Sequence, residues 1–204
     1  DTWKSRGLGD VYKRQLQQSG IPYATLLQGK ELSYNNINDA DAALQLIKEF
    51  DKEIPTVAII KHANPCGVAS GASLCEAYTK AFSCDTTSAF GGIVALNQII
   101  DKDSAAEIIK IFTEVIIAPG ITDEAKEIFE SKSNLRILIL PTLHEKSISQ
   151  NYKSIEGGIL VQTNDSEETI KSDLKVVTQS KPSDRQIEDM LFAFKVCKHV
   201  KSNA

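Results

Sequence analysis

The sequence has no apolar run near the roughly 18 residues that a membrane-spanning helix needs. It also has no long block of like charge, and its 23 basic and 27 acidic residues give a net charge of −4. No global positive field therefore attracts nucleic acid or a membrane surface. We expect neither as a partner, so any anionic ligand must be bound by local groups.

Cysteine is scarce as well. The chain has four cysteines, at 66, 75, 84 and 197, and no C-x-x-C pair of the kind found in zinc and redox motifs. Nothing resembling a secretory signal precedes them. We expect reduced thiols in a soluble, cytoplasmic protein.

Both ends of the chain look unusual. Residues 1–15 show no periodicity and no match to the rest of the chain, so they are predicted to be a non-native leader outside the fold. Residues 197–204 continue a helical pattern without a Gly or Pro stop signal. The expected organisation is a leader at 1–15 and one truncated domain at 16–204.

Apolar periodicity in the first two thirds of the chain alternates between strand and helix. Predicted strands lie at 55–60, 91–96, 114–118 and 135–140, and predicted helices at 39–50, from Ser73, from Ser104 and at 123–130. This order predicts the α/β class, a layered fold with a mainly parallel sheet covered by helices.

The pattern loosens after Pro141. Two further strands, GILVQ and LKVVT, are predicted on either side of an acidic loop at 164–169. Ser183 and Gln186 then form a capping box for a long helix over about 183–201.

The residues best suited to chemistry follow the first of these strands, in 55-PTVAIIKHANPCGVASG-71. Lys61 and His62 leave the strand at its carboxyl end, where α/β sheets place their ligands. A histidine accepts protons near neutral pH, and a lysine donates a proton or stabilises charge. The alternative without a catalytic role is a solvated lysine and a histidine hydrogen-bonded to the loop backbone.

Two other chemistries fit the same loop less well. A lysine at a strand end is also how Schiff-base enzymes present their nucleophile. His62 and Pro65-Cys66 resemble part of the zinc deaminase pattern, but Asn64 replaces its glutamate and Ala69 its second cysteine. We therefore predict no zinc.

The evidence for each of the remaining candidate site residues is weaker when that residue is considered alone. Phe90 and Gly91, in SAFGG, could contact a flat ligand, although a bulge with a core phenylalanine explains them too. Glu114 opens a strand and could bind a hydroxyl or an amine, or simply be solvated. Asn203 could orient a histidine ring. His144 and His199 are predicted to be surface residues.

Six segments in order resemble one known family. They are LQGKELSYNN (27–36), KHANPCG (61–67), TSAFGGIVALN (87–97), EVIIAPG (114–120), GGILVQ (157–162) and VKSNA (200–204). The family joins 5-aminoimidazole-4-carboxamide ribonucleotide (AICAR) formyltransferase to IMP cyclohydrolase, in purine biosynthesis. The resemblance covers residues 16–204 and places them in the first half of the formyltransferase domain, which has a cytidine-deaminase-like fold without zinc.

The resemblance implies formyl transfer from 10-formyltetrahydrofolate to the 5-amino group of AICAR. His62 matches the residue that manages removal of the amine proton, with the substrate carboxamide assisting. Lys61 matches its partner, which stabilises the tetrahedral intermediate or protonates the departing folate nitrogen. Asn203 matches a catalytic asparagine. Phe90, Gly91, Glu114 and Asn64 match substrate- or cofactor-binding positions, and the family acts as a homodimer.

Parts of the family pattern are missing. Residues 1–15 replace an upstream R-Y-G-x-N-P-H-Q segment, and the second half of the domain and the cyclohydrolase are absent. We expect the isolated chain to be inactive. The alternative to an enzyme is therefore a structural or dimer-forming module, and a monovalent cation near 197–204 is left open.

Overall fold

The structure is a computed structural model that describes residues 2–4, 10–12, 20–144 and 150–201. Its contacts divide the chain into two compact units. Unit 1 comprises residues 1–145 and 196–204, and unit 2 comprises residues 146–195.

Unit 1 contains alternating helices and strands built around one sheet. Its elements are β1 (Thr2–Lys4), β2 (Asp10–Tyr12), a 3-10 helix (Ile21–Tyr23), β3 (Thr25–Gln28), α1 (Tyr34–Ile47), β4 (Thr56–Lys61), β5 (Asn64–Ser70), α2 (Leu74–Cys84), β6 (Gly92–Leu96), α3 (Lys102–Ile108), β7 (Thr113–Ala118), α4 (Asp123–Glu130) and β8 (Arg136–Ile139). β1 and β2 pair only with each other, as an antiparallel ribbon.

The main sheet has six strands in the order β3-β8-β7-β6-β4-β5. Only the pairs β6–β7 and β7–β8 are parallel, whereas β3–β8, β6–β4 and β4–β5 are antiparallel. The α/β class is confirmed, but the prediction of a mainly parallel sheet is wrong, because the sheet is mixed.

The cause of the mixed sheet is a strand that the sequence interpretation treated as a loop. Residues 64–70 form β5, which folds back on β4 as a hairpin with a bulge where Ile59 and Ile60 pair with Gly67 and Pro65. The chain is thereby reversed before α2 carries it across β4. β6 consequently runs antiparallel to β4.

The sheet is buried on both faces. Val57, Ile59, Val94 and Leu96 belong to one apolar cluster with residues of α2, α3 and α4. Successive strand side chains point to opposite faces. The intervening buried residues, such as Ile60, therefore lie on the face that α1 covers.

Two predicted helix starts are wrong, and in both cases a different cap prevails. Ser33 caps α1 through the backbone N–H of Asn36, whose side chain accepts from the Ser33 N–H in return. Asp101, rather than Ser104, caps α3. The caps at Ser73 and the bounds of α4 are confirmed.

Unit 2 contains an antiparallel hairpin of β9 (Gln150–Ile155) and β10 (Gly158–Thr163), a 3-10 helix (Lys171–Asp173) and most of α5 (Asp184–Cys197), whose last two residues belong to unit 1. The strand at GILVQ and the Ser183–Gln186 capping box are confirmed. The predicted strand LKVVT is wrong, because residues 174–178 have no regular structure, and β9 was missed. Where the chain is described, no helix is both long and apolar enough to cross a bilayer.

Candidate active site

One edge of the unit 1 sheet gathers several of the residues predicted to bind or react. The carboxyl end of β4 lies beside the amino end of β6, where Ile60 pairs with Ile93. β6 and β7 are parallel neighbours, so their first residues lie at the same edge. Lys61 and His62 therefore meet the 90–92 turn there, close to the start of β7.

Lys61 is fixed by two main-chain carbonyls. Its Nζ donates hydrogen bonds to the Phe90 oxygen at 2.8 Å and to the Gly91 oxygen at 2.9 Å. A lysine ammonium has three N–H groups. No residue in the described ranges accepts the third, which leaves one donor for a ligand at a position set by the protein.

His62 lies in the two-residue turn of the β4–β5 hairpin. His62 has φ of 52° and Ala63 has φ of 56°, so two consecutive residues with side chains adopt the left-handed conformation. Hairpin turns of this kind normally use Asn-Gly. Strain at non-glycine residues concentrates at functional sites and costs about 1–3 kcal/mol per residue. The His62 side chain is exposed, and no described group bonds its ring.

Phe90 and Gly91 form the other wall of the site. The Phe90 side chain is exposed, contrary to the alternative of a core phenylalanine, and it lies against Phe112 with ring centroids 5.3 Å apart. Gly91 has φ of 68°, and a Cβ there would lie 2.9 Å from Lys61 Nζ. The left-handed backbone therefore favours glycine, whereas the end of the flexible Lys61 side chain can move away from a Cβ.

The remaining predicted residues have separate partners. The Glu114 carboxylate accepts a hydrogen bond of 2.8 Å from the Asn36 side chain, so it is anchored to the start of α1. The Asn64 side-chain oxygen accepts from the backbone N–H of Lys201 at 2.9 Å. Asn203 lies outside the described residues.

The segment 198–201 is held beside the hairpin by Glu49 as well. One Glu49 oxygen is 3.0 Å from Lys198 Nζ and 3.0 Å from His199 Nε2. The prediction of a surface His199 is wrong, since its side chain is only 18% exposed. His144 is also not a free surface histidine, because its ring lies 2.7 Å from the Asn97 carbonyl oxygen, within hydrogen-bond distance.

Glu49 should make the free energy of unfolding depend on pH in the acidic range. Burial raises the pKa of Glu49, but hydrogen bonds and charges from His199 and Lys198 outweigh burial and lower the pKa below its usual 4.5. The charged carboxylate thus stabilises the fold above pH 4.5, and this contribution is lost as pH falls through the lowered pKa. We expect Glu49→Gln to cost about 1–2 kcal/mol at pH 6 and progressively less on acidification.

The measurement is urea unfolding of the chain at a series of pH values. Glu53→Gln is the control, because Glu53 pairs with Lys52 on the exposed surface and such pairs contribute about 0–1 kcal/mol. Equal losses for the two variants at every pH would contradict the role of Glu49.

Cys66 lies in β5 near these residues, in surroundings that disfavour its thiolate form. Burial raises the pKa of its thiol, and the charge of Asp85 raises it further, while Lys61 acts weakly in the opposite direction. A thiol is a poor nucleophile compared with its thiolate. In the described ranges, no group of three or more His, Cys, Asp or Glu residues could hold a metal ion.

Comparison with known proteins matches residues 7–204 to the family described as AICARFT/IMPCHase bienzyme. The chain belongs to this family. It is 56% identical over 194 residues to the bifunctional purine biosynthesis protein PurH of Rhodospirillum rubrum, a match that covers 95% of this chain and 36% of that protein. It is 57% identical over 197 residues to PurH of Ruegeria sp. (95% of this chain, 37% of that protein). The PurH of Rhizobium etli is 51% identical over 223 residues, covering 100% of this chain and 41% of the relative.

The chain therefore spans well under half the length of these PurH relatives. Within the part that it shares with the AICARFT/IMPCHase family, the structure brings together Lys61, Phe90 and Gly91 by direct contacts and places His62 next to Lys61 in the turn. Sequence interpretation missed Phe112, which lies two residues before the predicted strand at 114–118. Its position next to the EVIIAPG segment was the one available signal.

Proposed function

We propose that this chain forms part of an enzyme that transfers a formyl group from 10-formyltetrahydrofolate to the 5-amino group of AICAR in IMP biosynthesis. The observation that carries the proposal is the fixed pair at the hairpin end. Lys61 is held by two carbonyls, and His62 follows it in a turn that exposes the imidazole. The name of the relatives, bifunctional purine biosynthesis protein, supports a second activity elsewhere in the protein, proposed to be IMP cyclohydrolase.

In the proposed mechanism the amine nitrogen of AICAR attacks the formyl carbon and forms a new C–N bond. His62 takes the proton that the amine loses as it attacks. The formyl oxygen becomes negative in the tetrahedral intermediate, and the free Lys61 N–H stabilises that charge. The bond from carbon to folate N10 then breaks, and N10 takes up the proton that His62 removed from the amine. The products are the formylated amine and tetrahydrofolate, and His62 is neutral again.

The other proposed roles are binding and positioning. Glu114 and Asn64 would contact the ligands from their anchored positions, while Phe90 and Gly91 would contact the flat parts of the ligands. Asn203 would orient the reacting groups. A cytidine-deaminase-like topology, a homodimeric site, a leader at 1–15 and a monovalent cation near 197–204 stay predictions.

The Schiff-base alternative has less support. A lysine nucleophile must present a free nitrogen lone pair to a carbonyl carbon. Lys61 instead directs two N–H groups to main-chain oxygens. One observation supports the alternative of a structural or dimer-forming module. Both hairpin strands of unit 2 are exposed, and Ile159, Leu160 and Val161 are accessible to solvent.

The test uses a PurH chimera, in which this sequence replaces the matching segment of the Rhodospirillum rubrum protein. We expect the chimera to form formyl-AICAR from 10-formyltetrahydrofolate and the chain alone to show little turnover. A folded chimera that binds neither substrate would overturn the proposal and leave the structural-module alternative.

A further inference from the structure

Glu49 carries a negative charge at a place where its own helix does not favour one. It directly follows Lys48, the C-cap of α1, and the dipole of a helix favours cations rather than anions at the C-terminus. The Glu49 side chain is also only 19% exposed. The stability of α1 therefore does not explain this residue, and the explanation lies in its partners elsewhere in the chain.

The partners of Glu49 are a lysine and a histidine about 150 residues further on. The same carboxylate oxygen is 3.0 Å from Lys198 Nζ and 3.0 Å from His199 Nε2. The lysine side chain is only 14% exposed, and partly buried pairs are screened by salt much less than surface pairs. The Val196 carbonyl accepts from the His199 N–H at 2.9 Å, so both partners belong to the turn that ends α5. Glu49 thereby fixes where the chain continues towards residue 201.

Lys201 transmits this placement to the turn that carries His62. Its backbone N–H donates a hydrogen bond of 2.9 Å to Asn64 Oδ1. Asn64 pairs with Lys61 in the β4–β5 register, and only His62 and Ala63 lie between them. Asn64 thus closes the turn. An amide side chain also has two N–H donors, so this bond is compatible with a ligand contact through those donors.

Apolar packing in this region is incomplete. A cavity of about 240 Å³ is lined by α1 residues such as Gln45, by Ala63 of the turn, and by His199 and Lys201. Packing alone would therefore leave the 198–201 segment room to move relative to the turn. The left-handed backbone at His62 and Ala63 persists only where surrounding contacts hold it. The polar contacts from Glu49 to Asn64 supply that constraint.

We propose that Glu49 is a positioning residue for the His62 turn. Glu49 holds segment 198–201, and Lys201 then holds the turn through Asn64, so that His62 stays in one place relative to Lys61. This role rests on the proposed formyl transfer, because His62 is the proton acceptor in that reaction. A purely structural Glu49 would instead contribute stability without acting through His62.

The kinetic test is a double-mutant cycle between Glu49→Gln and His62→Asn in the PurH chimera, at neutral pH, where circular dichroism shows each variant to be folded. Glu49→Gln is expected to lower kcat about tenfold, less than the roughly 10²-fold cost of a misplacement of about 1 Å, with both KM values nearly unchanged. In the His62→Asn background the same substitution should cause almost no further loss, because the group that Glu49 positions is already gone.

Glu53→Gln is the matched control, because it removes the charge of an exposed carboxylate that pairs with Lys52. It should leave kcat unchanged in both backgrounds. Equal losses from Glu49→Gln with and without His62 would mean that Glu49 acts independently of the turn, and would overturn the proposal. A raised KM with unchanged kcat would overturn it as well, since it would indicate a role in ligand binding.

Hydrogen exchange keeps this inference separate from the proposed reaction, because it needs no turnover. Amide exchange reports local opening as well as global unfolding. Glu49→Gln is expected to speed exchange more in segments 62–67 and 198–201 than in β6 (Gly92–Leu96), which serves as the internal reference for global stability. Equal acceleration in all three segments would reduce Glu49 to a structural role and overturn the proposal.

The two measurements together identify which proposal fails. A chimera without formyl transfer whose exchange still rises preferentially in segments 62–67 and 198–201 would retain the placement of the turn by Glu49 and reject the reaction. An active chimera in which exchange rises equally everywhere would do the reverse.

Discussion

Replacing His62 with alanine in the PurH chimera is expected to lower kcat for formyl transfer roughly 10²–10⁴-fold, the usual contribution of a positioned proton acceptor. The AICAR amine is a poor nucleophile, since its lone pair is delocalised, so attack depends on simultaneous loss of its proton. No other histidine can substitute in the described residues. His144 and His199 are engaged with Asn97 and Glu49.

The matched variant is His62→Asn. Asparagine tolerates the left-handed conformation well but cannot serve as a base near neutral pH. We expect both variants to lose turnover equally, while His62→Asn keeps or slightly raises the free energy of unfolding. If His62→Asn retains nearly all the activity, His62 only shapes the turn, and the proposed base is wrong.

Replacing Lys61 with methionine is the second large expected effect. Methionine keeps the apolar stem but removes the charge and both hydrogen bonds to the 90–91 carbonyls. Loss of one preorganised donor to a developing oxyanion costs about 10²–10³ in kcat, and we expect a loss of at least that size. The free energy of unfolding should fall by about 1–3 kcal/mol, because two carbonyls lose a charged donor.

Two comparisons separate chemistry from structure at Lys61. Lys61→Arg keeps the charge but not the geometry of a single donor nitrogen, so its turnover should remain low while its stability recovers in part. Lys80→Met removes a lysine that pairs with Glu76 on the exposed face of α2, and its kcat should not change. Trapping of Lys61 by borohydride with a carbonyl substrate would instead support the Schiff-base alternative.

Local sequence signals predicted those elements whose stability is mostly local. The helix at 123–130 has its cap, its acidic first turn and its apolar face within ten residues, and the structure places α4 at those bounds. β7 and β8 were found because their apolar runs are continuous, as expected of strands buried on both faces. Lys61 and His62 were identified because a buried strand leads directly into them.

The prediction failed where a distant partner decides the conformation. Residues 64–70 contain Pro65 and Gly67, which suggest a loop, yet pairing with β4 makes them an edge strand. A proline, which has no N–H, is tolerated there because an edge strand needs no donor on the side that lacks a neighbouring strand. That one strand changed the predicted parallel sheet into a mixed sheet.

The sequence alone thus determined the α/β class, most strands and helices, and the lysine–histidine pair, because each depends on spacing between near neighbours. Only the tertiary structure decided how the site is assembled. Lys61 reaches carbonyls 29 and 30 residues away. Asn64 reaches Lys201 across 137 residues, and Glu49 reaches His199 across 150. These contacts depend on how packed elements align in space, and no local pattern in a single sequence encodes that alignment.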